Sequence, residues 1–231
     1  MNEPATNPPP LSDRSGVTDA VRVQILATEH WSLLATRSMT WNEIFSRASM
    51  FVTLLSAAVV ALALVAQATG FGPQFRIFAL LVLPVVLLMG LATYVRLGEA
   101  NSTDFGLVSG MNRLRHAYLE LAPELQPYFI TGQHDDIAGV MLTYGVGSDG
   151  SGYRINFIRI LGSTPAIVGA TNIVVAGVIA ALIADALGAP DTGNVIAGVT
   201  VALAAVAGHG ALASREISRG LHTQRPRFPS E

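Results

Sequence analysis

Four apolar segments, at about residues 50–69, 77–96, 164–187 and 194–213, constrain this chain more than any motif in it. Thirteen of its fourteen cationic side chains lie on one side of them. Each segment is close to the ~20 residues that a helix needs to cross the hydrocarbon core of a bilayer. The links inside each pair of segments are short, so the members of a pair must lie antiparallel. The expected fold is all-α: a polytopic membrane protein with four transmembrane helices arranged as two antiparallel hairpins. Only 13% of the residues are charged, against about 25% in a soluble globular domain. The near-chargeless segments account for that deficit.

Cytoplasmic loops concentrate arginine and lysine near span ends. Arg14, Arg22, Arg37 and Arg47 precede the first span. Arg96, Arg113, Arg115, Arg154 and Arg159 lie between the second and third spans, and Arg215, Arg219, Arg225 and Arg227 follow the fourth. The link 69–76 holds only Arg76, and the link 188–193 holds no cation but carries Asp191. The N-terminus, the centre and the C-terminus are therefore expected in the cytosol and both tight turns outside. All the cations are arginine, and glycine, alanine and valine are abundant, a composition that suggests a GC-rich bacterial genome and hence a bacterial inner membrane. Absence of cysteine excludes disulfides, thiolate metal sites and cysteine nucleophiles. A net charge of −2 gives no field that would attract nucleic acid. The first apolar run begins too far along the chain for a cleavable signal peptide, and residues 1–16 read as a disordered N-terminal tail.

Residues 17–125 form the first organisational unit: an amphipathic helix, spans one and two, and a cytosolic helix to about 125. No helix breaker falls between residues 17 and 50. Trp31, Leu34, Trp41, Phe45, Ala48 and Val52 recur by threes and fours or their sums, the seam spacing of a packed helix pair. Leu97, Ala100, Leu107, Met111, Leu114, Tyr118, Leu121 and Leu125 repeat the pattern after span two. The two stripes mirror each other about residues 72–73, which predicts that both spans continue into the cytosol as a helical stalk with these residues in its seam. Asp104 falls level with Trp41, within reach of the indole N–H. The competing reading is a break at Gly98 or at 102–104, with Ser102 capping a separate helix. Pro84 should bend span two.

Residues 161–214 carry spans three and four. Ser163, Thr164 and Pro165 read as a helix start. Gly169, Ala176, Ala180 and Ala184 on span three, and Gly198, Ala202 and Ala205 on span four, give small-residue faces that let helices approach closely in lipid. Each face carries one strongly polar residue, Asn172 or His209, placed at the same depth. They are expected to hydrogen-bond between helices, with a proton or ligand site as the rival reading. Asp185 reads as a solvated rim residue.

Residues 126–160 form a cytosolic connector. Asp135 or Asp136 reads as the cap of a short helix over 137–144. The consecutive His134, Asp135 and Asp136 point apart and make a poor metal site. Residues 145–152 read as a Gly-rich linker and 153–161 as a basic interfacial segment. Residues 215–231 form a basic cytosolic tail. There is no paired carboxylate in an apolar context, no nucleophile elbow and no histidine pair at metal-binding spacing, so no enzyme, cofactor or metal is expected.

The leading expectation is a non-enzymatic scaffold or interaction protein in contact with the lipid bilayer. It would self-associate and present its stalk to a cytosolic protein partner, without nucleic acid. An oligomeric channel or small-solute transporter is the alternative. The layout over residues 17–125, an upstream amphipathic helix, two spans and a following helix, resembles the two-span effector domains of bacterial defence systems. That resemblance implies membrane perforation on activation by a sensor. The second pair of spans departs from the pattern.

Overall fold

The computed structural model describes residues 17–146, 162–223 and 225–230, and all regular structure among them is helical. Helix α1 runs Asp19–Thr69 and α2 runs Pro73–Leu121. A 3-10 turn, Pro123–Tyr128, leads to α3, Ile137–Thr143. Helix α4 spans Thr164–Ala186 and α5 spans Asp191–Thr223. The expected tail at 1–16, most of the Gly-rich linker and the interfacial segment at 153–161 lie outside the described residues. Helices α1, α2, α4 and α5 are each long and apolar enough to cross a membrane.

The local starts and stops have clear chemical causes. Ser163 caps α4 by accepting from the Ala166 N–H, with proline in the first turn. Asp136 caps α3, its side chain accepting from the Gly139 N–H at 2.8 Å. Between α1 and α2 the chain passes through two successive left-handed residues, Gly70 at φ 63° and Phe71 at φ 61°. That region suits glycine and strains phenylalanine. The Phe71 ring packs edge-on against Phe75 at 5.1 Å. No break falls at Gly98 or at 102–104: α2 continues through both and keeps Pro84 in its interior.

The residues gather into two compact units. The first comprises 17–41, 100–146 and 217–230 of the described chain, and its core is Val108, Met111 and Val140 packed with Leu33, Phe105 and Tyr144. The second comprises 42–99 and 162–216, where Ala79, Leu83 and Val175 pack with Leu62, Phe75 and Ile179. In the second unit α4 and α5 touch backbone to backbone. A Cβ on Gly177 would lie 3.0 Å from the Gly198 carbonyl oxygen, and one on Gly198 would lie 3.0 Å from that of Gly177. The expected small face included Gly198, but the residue of α4 that meets it is Gly177, one residue beyond the expected Ala176.

The expected seam needs correction on α1. Trp31, Leu34 and Phe45 are 71%, 41% and 54% exposed, whereas Ile44 and Phe51 are each 1% exposed. The inward face instead runs through Leu33, Arg37, Trp41, Ile44, Ala48 and Phe51. One residue on a helix turns the face by about 100°, and the apolar spacing of threes and fours marks several faces equally well. The choice among them goes to the face whose donors answer Asp104. On α2 the expected residues fare better, with Met111 buried and Leu107, Leu114 and Tyr118 half-buried.

Candidate functional site

Asp104 on α2 is 2% exposed and surrounded by donors. Arg37 donates to its two oxygens from Nε at 2.6 Å and Nη2 at 3.2 Å. The Trp41 indole N–H donates at 2.9 Å and the Tyr144 hydroxyl at 2.7 Å. Burial alone would raise this carboxyl, but hydrogen bonds from Arg37, Tyr144 and Trp41 outweigh it and hold the group below its ordinary range. Burial, reinforced by the bond to Asp104, pushes the Tyr144 phenol far above its usual value. At neutral pH the cluster is thus carboxylate, guanidinium and neutral phenol. Both oxygens are engaged, so the group is a clamp and a poor general base.

A second polar set lies one to three turns along α2. Ser109 Oγ donates to the Asp135 carbonyl at 3.1 Å and Asn112 Nδ2 to the His134 carbonyl at 2.8 Å. Asn112 Oδ1 in turn accepts from Arg115 at 2.7 Å and Thr143 at 2.9 Å. Arg113 Nε meets Asp135 Oδ2 at 2.5 Å. These residues, at helical spacing, hold the segment that carries α3. Sequence reasoning missed them. The available signal was Ser109, Asn112 and Arg113 recurring beside an otherwise apolar stripe.

The C-terminal segment 225–230 lies on the same turn. Asp135, 3% exposed, accepts the main-chain N–H groups of Arg227 at 2.8 Å and Phe228 at 2.8 Å. The Phe228 carbonyl accepts from the Asp135 N–H and His134 Nδ1, each at 3.3 Å. Ser230 binds Asp136 through both its N–H, at 2.7 Å, and its hydroxyl. The Phe228 ring stacks on His116 at 4.4 Å. Asp135 and Asp136 read from sequence as capping alternatives; in the structure Asp136 caps α3 and binds Ser230, and Asp135 collects Arg113 and the main chain of 227 and 228.

In the second unit the structure brings Asn172 and His209 together. His209 Nδ1 donates to the Ala205 carbonyl at 2.8 Å, which leaves Nε2 to accept from Asn172 Nδ2 at 3.5 Å. Tyr94 sets its ring edge-on to His209 at 4.5 Å and donates its hydroxyl to the His209 carbonyl at 3.2 Å. Asn172 Oδ1 is buried without a hydrogen-bond partner. It lies against Gly90, where a Cβ would come within 1.9 Å of it, leaving only a Cα–H to meet it. Gly90 and Tyr94 were not among the sequence candidates. Their signal was a single glycine inside a Leu/Val-rich span, with an aromatic one turn later.

A cleft of about 430 Å³ opens beside this cluster, lined by Leu87, Leu91, Ala176, Ala205, His209 and Arg215. A second of about 540 Å³ is walled by apolar residues including Leu55, Val59, Phe75 and Val174. Arg76, the lone cation of the short links, pairs with Asp185 at 2.6 Å. Both are partly exposed, and such pairs contribute about 0–1 kcal/mol. Among the described residues no group of three or more histidine, aspartate or glutamate side chains is placed to hold a metal. No protein-family model, curated protein or solved structure matches the chain.

Proposed function

We propose that the chain is a non-enzymatic scaffold of a bacterial inner membrane. In this reading α1 with α2, and α4 with α5, form two transmembrane hairpins, and the first hairpin extends into the cytosol as a helical stalk. Helix α1 has 51 residues and α2 has 49. At 1.5 Å per residue, each is about 75 Å long, more than twice the ~30 Å hydrocarbon core. The arginine asymmetry assigns the excess length, with both termini, to the cytosol.

The observation that carries the scaffold reading is the state of the buried carboxylates. Asp104 and Asp135 have their oxygens occupied by arginine, indole, phenol and main-chain donors. Groups so saturated fix helices and turns and have no capacity left for proton transfer. The surface beside them carries exposed Trp31, Leu34 and Phe45. Exposed aromatic and aliphatic side chains grouped on one helix flank are the material of protein interfaces. Self-association through this flank, and a cytosolic partner on the stalk, complete the reading.

A channel or transporter is the second reading, favoured by the cleft at His209, Asn172 and Arg215. Reconstitution separates the two. Vesicles carrying the purified protein should be no leakier to ions than empty vesicles, while the detergent complex should exceed the mass of one chain. Ion flux abolished by His209→Ala would replace the scaffold with the channel.

A further inference from the structure

We propose that the turn at 134–136, together with Arg113 and His116 of α2, is a peptide-recognition site, and that segment 225–230 is its tethered and exchangeable ligand. Recognition runs through the main chain. Residues 226 and 229 are prolines and have no N–H, and the N–H groups of 227, 228 and 230 are all accepted by Asp135 or Asp136. The carbonyls of Arg225 and Phe228 are met by Arg113 and by His134 with the Asp135 N–H. A short peptide held through its main-chain N–H and C=O groups, with one side chain in a shaped contact, is a recurring recognition mode. Here the side chain is Phe228 on His116. The flanking prolines fix φ in advance, which lowers the ordering cost of binding.

Two observations mark the segment as a ligand and not part of the core. The core beneath it, Val108, Met111 and Val140 with Leu33, Phe105 and Tyr144, contains none of its residues. Within the segment only Phe228 is half-buried, and Arg225, Pro226, Arg227, Pro229 and Ser230 are exposed. Removal would uncover Asp135 and the His116 ring without opening a cavity. A partner that presents a Pro-Arg-Phe-Pro-Ser segment with the same bend would meet the same groups.

The test uses the full chain in detergent and a fluorescent synthetic peptide of residues 223–231. Arg227→Pro removes one N–H bonded to Asp135 and should disengage the tethered segment. A tether supplies roughly millimolar effective concentration, so the wild-type peptide should bind the Arg227→Pro protein at least about tenfold more tightly than it binds the wild-type protein. A Phe228→Ala peptide should bind neither. Equal binding to both proteins, or no binding to an Arg227→Pro protein of unchanged helicity, would overturn the proposal. If Arg227→Pro does not fold, a full-length Phe228→Ala protein takes its place under the same criteria.

Discussion

Asp104→Asn gives the sharpest energetic test of how α1 and α2 are held beyond the apolar segments. The carboxylate is 2% exposed and receives four donor contacts, two from Arg37 and one each from Trp41 and Tyr144. Asparagine keeps one acceptor oxygen and turns an NH₂ group toward donors that can no longer be met. Hydrogen bonds to charged groups contribute about 1.5–3 kcal/mol each. The Arg37 side chain is 31% exposed, so solvent screening reduces its share. The expected loss is about 2–4 kcal/mol, below the ~3–5 kcal/mol seen when one partner of a fully buried pair is removed. Trp41 reports the change directly by fluorescence in a Trp31→Phe background, since Trp31 is exposed. The folded carboxyl lies below its unfolded value of about 3.9. Its stabilisation is therefore present above that pH and lost as pH falls through the lower folded value. Denaturant midpoints that coincide for the two proteins at pH 7, or an acid limb unchanged by Asp104→Asn, would refute the clamp.

Two further outcomes follow from the geometry. Gly90→Ala puts a Cβ on Asn172 Oδ1 and near Phe51, and overpacking of this kind costs about 1–3 kcal/mol. Asn172→Ala should recover part of that loss in a double-mutant cycle read by thermal loss of helicity, and purely additive effects would sink the contact. Burial lowers the His116 pKa, the nearby His134 acting in the same sense while Glu120 and Asp135 oppose it. A histidine with a depressed folded pKa contributes stability fully present above about 6.5 and lost as pH falls through the folded value. Denaturant stability should therefore decline on acidification from pH 7 toward 5 and His116→Gln should flatten that slope, whereas a slope unchanged by the substitution would remove His116 as its source.

Much of this architecture is legible in the sequence, and the reasons are specific. Long apolar runs leave few choices, so four membrane-capable helices followed from composition alone. Ser163, and the pair Asp135 or Asp136, announced helix starts because capping needs a side-chain acceptor near the first turn, and the structure gives the second cap to Asp136. The meeting of Asn172 with His209, and of Trp41 with Asp104, followed from register about short turns. The α1 face was misread because apolar spacing does not say which of two adjacent faces turns inward. That choice rested on Arg37, a charged residue that an apolar count discards. Gly90 escaped notice because a missing side chain has no periodicity, and the docking of 225–230 escaped because main-chain recognition leaves almost no trace in side-chain identity.

Cysteine accessibility most directly tests the proposal that α1 and α2 extend beyond the membrane as a cytosolic stalk and that the C-terminal segment lies on the same side. The chain has no cysteine, so single substitutions report cleanly. Phe71→Cys and Leu187→Cys, one in each of the two short links, should react with a membrane-impermeant maleimide applied to intact cells. Ser38→Cys, Ser102→Cys and Ser230→Cys should react only after the membrane is permeabilised. Labelling of Ser38→Cys in intact cells at the rate of Phe71→Cys would contradict the cytosolic stalk.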